Sequence, residues 1–165
     1  MANIFLISDT HFGHENIIGY CARPFSCAAE MDEVIVSRWN DVVRPQDHVY
    51  HLGDVAMKKT QLSIVKRLNG HKRLVFGNHD IFEAKDYLAA GFEKVCGMRV
   101  IDGCIFTHIP VHPESLGRFT ANIHGHIHNA EAYPRPYLNV SVEAIDYRPV
   151  SFDALKHNIQ AESQS

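Results

Sequence analysis

Five short polar clusters interrupt this chain, and each sits at the end of an apolar run of strand length. Asp9-Thr10-His11 follows Asn3–Ile7, Gly53-Asp54 follows His48–Leu52, and Gly77-Asn78-His79-Asp80 follows Lys72–Phe76. Thr107-His108 closes the run that starts at Cys104, and Gly125-His126-Ile127-His128 follows Ala121–His124. In open α/β sheets ligands gather just outside the carboxyl ends of the strands, so clusters at five such ends converge in space. That requirement restricts the fold to strands alternating with helical connections.

Helical patterns fill the intervals. Met31, Val34, Ile35, Trp39 and Val42 recur at helical spacing after Ser26, and Arg44-Pro45 stops them. Thr60 caps a second helix carrying Leu62, Val65 and Leu68, which Asn69-Gly70 ends, and Ile81–Ala90 reads as a third. Val95–Ile101 and Cys104–Thr107 flank Asp102-Gly103, a two-residue hairpin signal. Tyr137–Val142 reads as a further strand, and Ser151 as the cap of a last helix. The expectation is one α/β domain over residues 1–160 with its later strands antiparallel, followed by a frayed tail at 161–165.

Composition excludes several alternatives. A chain of 165 residues with 45% hydrophobic side chains can bury a core without staples and is too apolar for disorder. No apolar run reaches the roughly 20 residues of a membrane helix. Sixteen basic against 19 acidic residues give a net charge of −3, which argues against holding long nucleic acid by charge alone. The cysteines at 21, 27, 96 and 104 form no Cys-x-x-Cys pair, and Met1-Ala2-Asn3 lacks the basic start of a secretory signal. They read as reduced thiols in a cytoplasmic protein.

The outlier is histidine, with 12 residues scattered from His11 to His157 rather than gathered in a tag. Carboxylate, amide oxygen and imidazole without thiolate suit manganese, iron or zinc rather than a structural cysteine-rich zinc. Taken singly, Asp-x-His and Gly-Asp are more often loop residues than ligands. Gly-Asn-His-Asp is more specific, and Gly-His-x-His places two imidazoles on one side of an extended segment. All five in this order, each at a strand end, point to a metal site.

In these residues the chain resembles the calcineurin-like metallophosphoesterase superfamily, whose signature runs Asp-x-His, Gly-Asp, Gly-Asn-His-Asp/Glu, His and Gly-His-x-His. The phrases around Asp9 to His14, Arg23-Pro24-Phe25 and Val49 to Ala56 are similar to those of its small stand-alone prokaryotic and phage phosphoesterases. The resemblance implies a four-layer α/β/β/α sandwich with a dinuclear metal centre. By position, Asp9, His11 and His128 would hold one metal, Asn78, His108 and His126 the other, and Asp54 would bridge them. His79 would be the catalytic histidine beside the substrate, oriented by Asp80. Two divalent transition metal ions are implied, with manganese favoured over iron, zinc or nickel. Gly53-Asp54 continues as Val55-Ala56-Met57 instead of Asp-Arg-Gly, which argues against a protein phosphatase or a dinucleoside-tetraphosphate hydrolase.

The reaction expected is hydrolysis of a small phosphate ester, a phosphodiester in preference to a monoester, by direct attack of activated water without a phosphoenzyme. Two cations about 3.5–4 Å apart lower the pKa of a water and clamp the phosphoryl oxygens. Phosphomonoesterase, short-oligonucleotide nuclease and a non-catalytic metal-binding scaffold are the alternatives. The partner is a small phosphorylated substrate, nucleotides included, with neither a membrane nor a long nucleic acid, and the oligomeric state stays open. Substrate contacts are assigned to His14, Arg23 and Arg118, each set against a plain surface or loop-anchoring role. His51 and His124 stand near the site without an assigned function, while His48, His71 and His157 read as structural.

Overall fold

The computed structural model describes residues 1–131, 133–134 and 136–162. In chain order its elements are β1 (Ile4–Ile7), α1 (Glu15–Tyr20), α2 (Ala28–Val42), β2 (His48–His51), β3 (His71–Val75), α3 (Ala84–Ala90) and β4 (Phe92–Cys96). There follow β5 (Arg99–Ile101), β6 (Cys104–Phe106), β7 (Ala121–His124), β8 (Tyr137–Asn139), β9 (Val150–Ser151) and α4 (Phe152–Glu162). Three 3-10 helices, Lys59–Arg67, Pro113–Leu116 and Val142–Ala144, lie between them.

Two sheets form, one in the order β4-β3-β2-β1-β9 and one in the order β5-β6-β7-β8. β1 to β4 pair in parallel, and β9 returns antiparallel beside β1. The sheets pack face to face: Leu6, Tyr50, Leu52 and Val75 of the first meet Cys104, Phe106, Ala121 and Ile123 of the second in one buried cluster. Phe5, Ile7, Val49 and Leu74 point the other way, into a larger core with Ile35 and Trp39 of α2, Leu62 and Val65 of the first 3-10 helix, and Tyr87 of α3. This double burial explains why β1 is apolar at every position, as parallel strands covered on both faces require. The result is an α/β/β/α sandwich. On the outer face of the second sheet the helical layer is reduced to the 3-10 turn Pro113–Leu116, whose Leu116 packs on Ile105 and Tyr137. α4 inserts Phe152 and Ile159 into the core between the sheets.

The later strands are antiparallel, as expected, only in part, at β5–β6 and at β9. β6 pairs with β7, and β7 with β8, in parallel; only β5 and β6 form the hairpin read from Asp102-Gly103. The physical reason is the connections, because the segments 107–120 and 125–136 are long enough to carry the chain back to the start of a parallel neighbour. The run Val95–Ile101 also divides, its first part ending β4 in one sheet and its second forming β5 in the other. Gly97-Met98 makes the switch, which hydrophobic pattern alone does not show. The helix expected from Thr60 is 3-10, Ser151 belongs to β9 rather than to a cap, and α1 was not anticipated. Of the tail expected at 161–165, α4 includes 161 and 162, and 163–165 lie outside the described residues.

Candidate metal centre

The carboxyl ends of β1, β2, β3, β6, β7 and β8 meet at one edge of the sandwich, where backbone bonds stitch the loops together. Asp9 N–H donates to Gly53 O, His11 N–H to Asp54 O and Phe12 N–H to Val55 O, so the loops after β1 and β2 run side by side. Ser8 and Ser141 form a parallel bridge that ties β1 of the first sheet to the segment after β8 of the second. Glycine is required where loops approach closest. A Cβ on Gly77 would lie 2.2 Å from Asp54 Oδ1, and one on Gly125 would lie 2.3 Å from Asp9 Oδ2.

These loops bring all seven predicted ligand residues together. The donor atoms of Asp9, His11 and His128 lie within 4.8 Å of one another, and so do those of Asp54, His108 and His126. The two groups touch, since His11 Nε2 is 3.5 Å from Asp54 Oδ2 and His108 Nε2 is 3.3 Å from the same oxygen. Asn78 Oδ1 joins them 2.9 Å from His108 Nε2. Five of these seven residues, Asp9, His11, Asp54, His126 and His128, have positive φ. An L-residue there costs on the order of 1–2 kcal/mol, so the cluster concentrates strain comparable with a domain's whole margin of stability. Such strain persists only where surrounding bonds hold it, and it collects at functional sites.

The restraining bonds are visible. Asp9 Oδ2 accepts from His126 N–H and Ser141 Oγ–H, both at 2.9 Å, which leaves Oδ1 facing the cluster without a partner. Asp54 Oδ1 accepts His79 N–H at 2.9 Å. His108 Nδ1–H donates to Leu52 O at 2.8 Å, which turns Nε2 toward Asn78 and Asp54. His128 Nδ1 bonds Glu143 Oε1 at 3.0 Å, which turns Nε2 toward Asp9. Arg23 then holds Glu143 Oε1 through Nε at 2.8 Å and donates to the carbonyls of Thr10 and Asp9.

Charge at the site is poorly compensated by the protein itself. Burial raises the Asp9 carboxyl above its usual range, more than His108, His128 and Ser8 lower it. Burial pushes His11 down to about 3, leaving the imidazole neutral, and neither of its ring nitrogens has a partner. Burial works to raise Asp54 as well, but the hydrogen bond and charge of His108, His79 N–H and His11 outweigh it and hold the carboxyl at about 2. A buried carboxylate with an orphaned oxygen, Asp9 Oδ1, beside an imidazole with both nitrogens orphaned, His11, is a donor set that a divalent cation satisfies. The residues therefore fit a metal centre. A third group, Cys21, His128 and Glu143, fits less well: Glu143 is already paired with Arg23, and burial pushes the Cys21 thiol up to about 11.

Several expected roles change. Asp80 does not orient His79; its carboxylate accepts the backbone N–H groups of Asp54, Val55 and Gly77 at 2.7, 3.0 and 2.8 Å. It is a clamp between the β2 and β3 loops. Arg23 is 4% exposed and points inward, so it anchors loops rather than reaching a substrate. Arg118 is exposed with its guanidinium 5.1 Å from the Phe119 ring, and no contact among the described residues joins it to the cluster. His14 does stand at the rim, its ring 5.5 Å from that of His11. His79 is exposed and its ring also lies 5.5 Å from His11. His51 braces the loop from behind, bonding Thr10 Oγ1 at 2.9 Å, and His124 is buried with its Nδ1 on Gly125 O. Ser141 and Glu143 were missed by sequence reasoning. They follow β8, which ends at Asn139 and not at the expected Val142, so the strand-end rule reaches Ser141 only once that earlier end is known.

Comparison with known proteins gives a consistent result. The uncharacterized protein MJ1445 of Methanocaldococcus jannaschii is 40% identical over 94% of this chain and 90% of its own length. The solved structure of AQ665 from Aquifex aeolicus, a protein of unknown function, superposes with a TM-score of 0.74 at 29% identity, covering 95% of this chain and 99% of that one. Pseudomonas putida nuclease MPE shares the fold at a TM-score of 0.53 and 20% identity, over 76% of this chain and 61% of its own. Residues 2–140 match the calcineurin-like phosphoesterase superfamily domain, and the chain belongs to that superfamily.

Proposed function

We propose that this protein hydrolyses small phosphate esters, phosphodiesters in preference to monoesters, using two divalent metal ions. The carrying observation is the meeting of two three-donor groups at Asp54, 3.5 Å from His11 and 3.3 Å from His108. In this reading Asp9, His11 and His128 would hold one ion and Asn78, His108 and His126 the other, with Asp54 shared by the two donor groups. When bound, such ions lower the pKa of a water for direct in-line attack and clamp the phosphoryl oxygens. Oxygen and imidazole donors without thiolate favour manganese, with iron, zinc and nickel as the other candidates.

The chain's own residues do the rest. Asp80 and Ser141 fix the two carboxylates through the Asp54 loop and Asp9 Oδ2. His79 is held by its backbone N–H on Asp54 Oδ1, while its exposed ring has no ligand role in this reading. In this reading it donates a proton to the departing oxygen, which a diester needs because its leaving alkoxide is poor. The partner is a small phosphorylated molecule, nucleotides included. Four free cysteines fit a reducing cytoplasm, and among the described residues no helix is long and apolar enough to cross a membrane.

The test is manganese-dependent hydrolysis of bis(4-nitrophenyl) phosphate beside 4-nitrophenyl phosphate, with metal analysis of the purified protein. Faster diester turnover with about two transition metals per chain is expected. A protein that binds metal but turns over neither ester, nor cyclic nucleotides nor short oligonucleotides, is a scaffold instead.

A further inference from the structure

At the β4 edge of the sandwich a cavity of about 190 Å³ opens between the sheets, lined by Tyr50, Arg73, Lys94, Cys96, Met98 and Arg99, with Val95 at its wall. Three of these residues are cations and none is an acid, in a chain whose net charge is −3. Their charged groups make no ion pair within 4 Å and no side-chain hydrogen bond among the described residues; the backbones of all three are paired in the sheets. The carboxylate of Glu93, next in sequence to Lys94, pairs with His71 and also lies close enough to Arg73 to attract its charge, so one acid stands against three cations. Arg73 is half-buried with its guanidinium 5.4 Å from the Tyr50 ring centroid, a contact that orients the planar fork while leaving its N–H groups unspent.

An inward-pointing lysine on an edge strand is an ordinary guard against edge pairing, and Lys94 on β4 has that explanation. Arg73 does not. It lies on β3, between β4 and β2, where no edge needs guarding. It pairs in register with Lys94, so two like charges stand side by side on one face, an arrangement that is unfavourable unless something negative lies between them. Arg99, at the start of β5, closes the cavity from the second sheet. The switch from one sheet to the other at Gly97-Met98 therefore has a chemical consequence: it carries a third cation over the first two.

We propose that this cavity is an anion-binding site for a phosphate group, separate from the candidate metal centre. A planar guanidinium favours a tetrahedral oxyanion through two parallel hydrogen bonds, and Arg99 and Lys94 supply charge from the opposite walls. The phosphate belongs either to a free anion or to a remote part of a phosphorylated substrate. The second source is open to the site because a neighbouring groove, lined by Phe76, Asn78, Gly97 and His108, reaches from Gly97 to the candidate ligands.

Isothermal titration of the full chain as purified, with inorganic phosphate, tests the site. Wild type is expected to show two classes of binding, one at the metal centre and one here. Arg73→Ala and Arg99→Ala should each weaken one class by roughly tenfold or more and leave the other unchanged. Arg99 is exposed, so its variant keeps the test valid if Arg73→Ala does not fold. Isotherms of the variants indistinguishable from wild type, or a single class that survives both substitutions, would overturn the proposal. Kinetics separate the two sources of phosphate. A raised KM for a 5′-phosphorylated oligothymidylate, with none for bis(4-nitrophenyl) phosphate, assigns the phosphate to the substrate. Unchanged KM for both, with phosphate binding lost in the variants, assigns it to a free anion. The binding measurement needs no turnover, so an inactive protein would bear on the proposed hydrolysis and not on this site.

Discussion

At the scale of single residues, the site separates groups proposed to hold metal from groups that hold those groups in place. His79 has an exposed ring and no expected ligand role, whereas Glu143 reaches the centre only through His128. Their substitutions should therefore differ in kind. His79→Ala is expected to lower kcat by roughly 10²–10⁴-fold with metal content unchanged, as the loss of a positioned proton donor does. Glu143→Gln should weaken metal affinity by roughly 10–100-fold and recover turnover at saturating metal. Turnover against metal concentration, with metal analysis of each purified variant, distinguishes them. Equal behaviour of the two would contradict the assignment. His79 is legible in the sequence because it sits inside Gly-Asn-His-Asp, while Glu143 carries no motif, only a place shortly after a strand, and its partners Arg23 and His128 are set by the fold.

At the scale of elements, the loops after β1, β2, β3 and β7 matter through how closely they pass. Gly125→Ala would place a Cβ 2.0 Å from Ser8 Oγ and 2.3 Å from Asp9 Oδ2, so a loss of about 1–3 kcal/mol together with lower metal content is expected. Gly19→Ala is the contrast. It sits in α1 with nothing within 4 Å of the added atom, and it should be neutral or stabilising by up to about 1 kcal/mol. Urea unfolding of both variants checks the pair.

The coupling of α2 to the site loop has a pH signature. Asp32 accepts Gly13 N–H at 3.0 Å, and burial, against that hydrogen bond, raises its carboxyl from 3.8 to about 6. A carboxyl with a raised folded pKa binds its proton more tightly in the native state, so it costs stability as pH rises from 3.8 to about 6. Asp32→Asn keeps an acceptor for Gly13 and should remove that decline, so the variant gains on wild type across this window. Denaturant midpoints followed from about pH 4 to pH 7 measure it. These effects are absent from the sequence pattern, since Asp32 reads there as one polar position on an amphipathic helix.

At the scale of the molecule, the sandwich closes around a strained, under-compensated cluster, and the proposed metal centre predicts that stability depends on metal. Asp9, His11, Asp54, His126 and His128 all hold positive φ around partly orphaned donors. Cations that bind only the folded state should stabilise it by about 2.7 kcal/mol per site at a hundredfold excess over Kd. Two sites predict a fall in Tm on the order of 10 °C after exhaustive chelation, reversed by added manganese. Differential scanning calorimetry with and without chelator reads it, and an unchanged Tm would count against structural coupling of the centre.

The five clusters at strand ends were determined by the sequence alone, as were the α/β alternation and the donor set, because each is written in contiguous residues whose spacing meets local chemistry. The two-residue hairpin at Asp102-Gly103 was legible for the same reason, and the structure forms it. Tertiary structure alone decided the parallel pairing of β6, β7 and β8, since strand direction depends on where a long connection returns and not on the strand's own side chains. It also decided what Asp80 and Arg23 do. A carboxylate or guanidinium takes whichever partners the fold presents, and here those are backbone groups of neighbouring loops rather than His79 or a substrate. Local pattern names the chemistry available, and long-range packing assigns each group its partner, because hydrogen bonds and buried charges are settled only by what lies within a few ångströms in the folded chain.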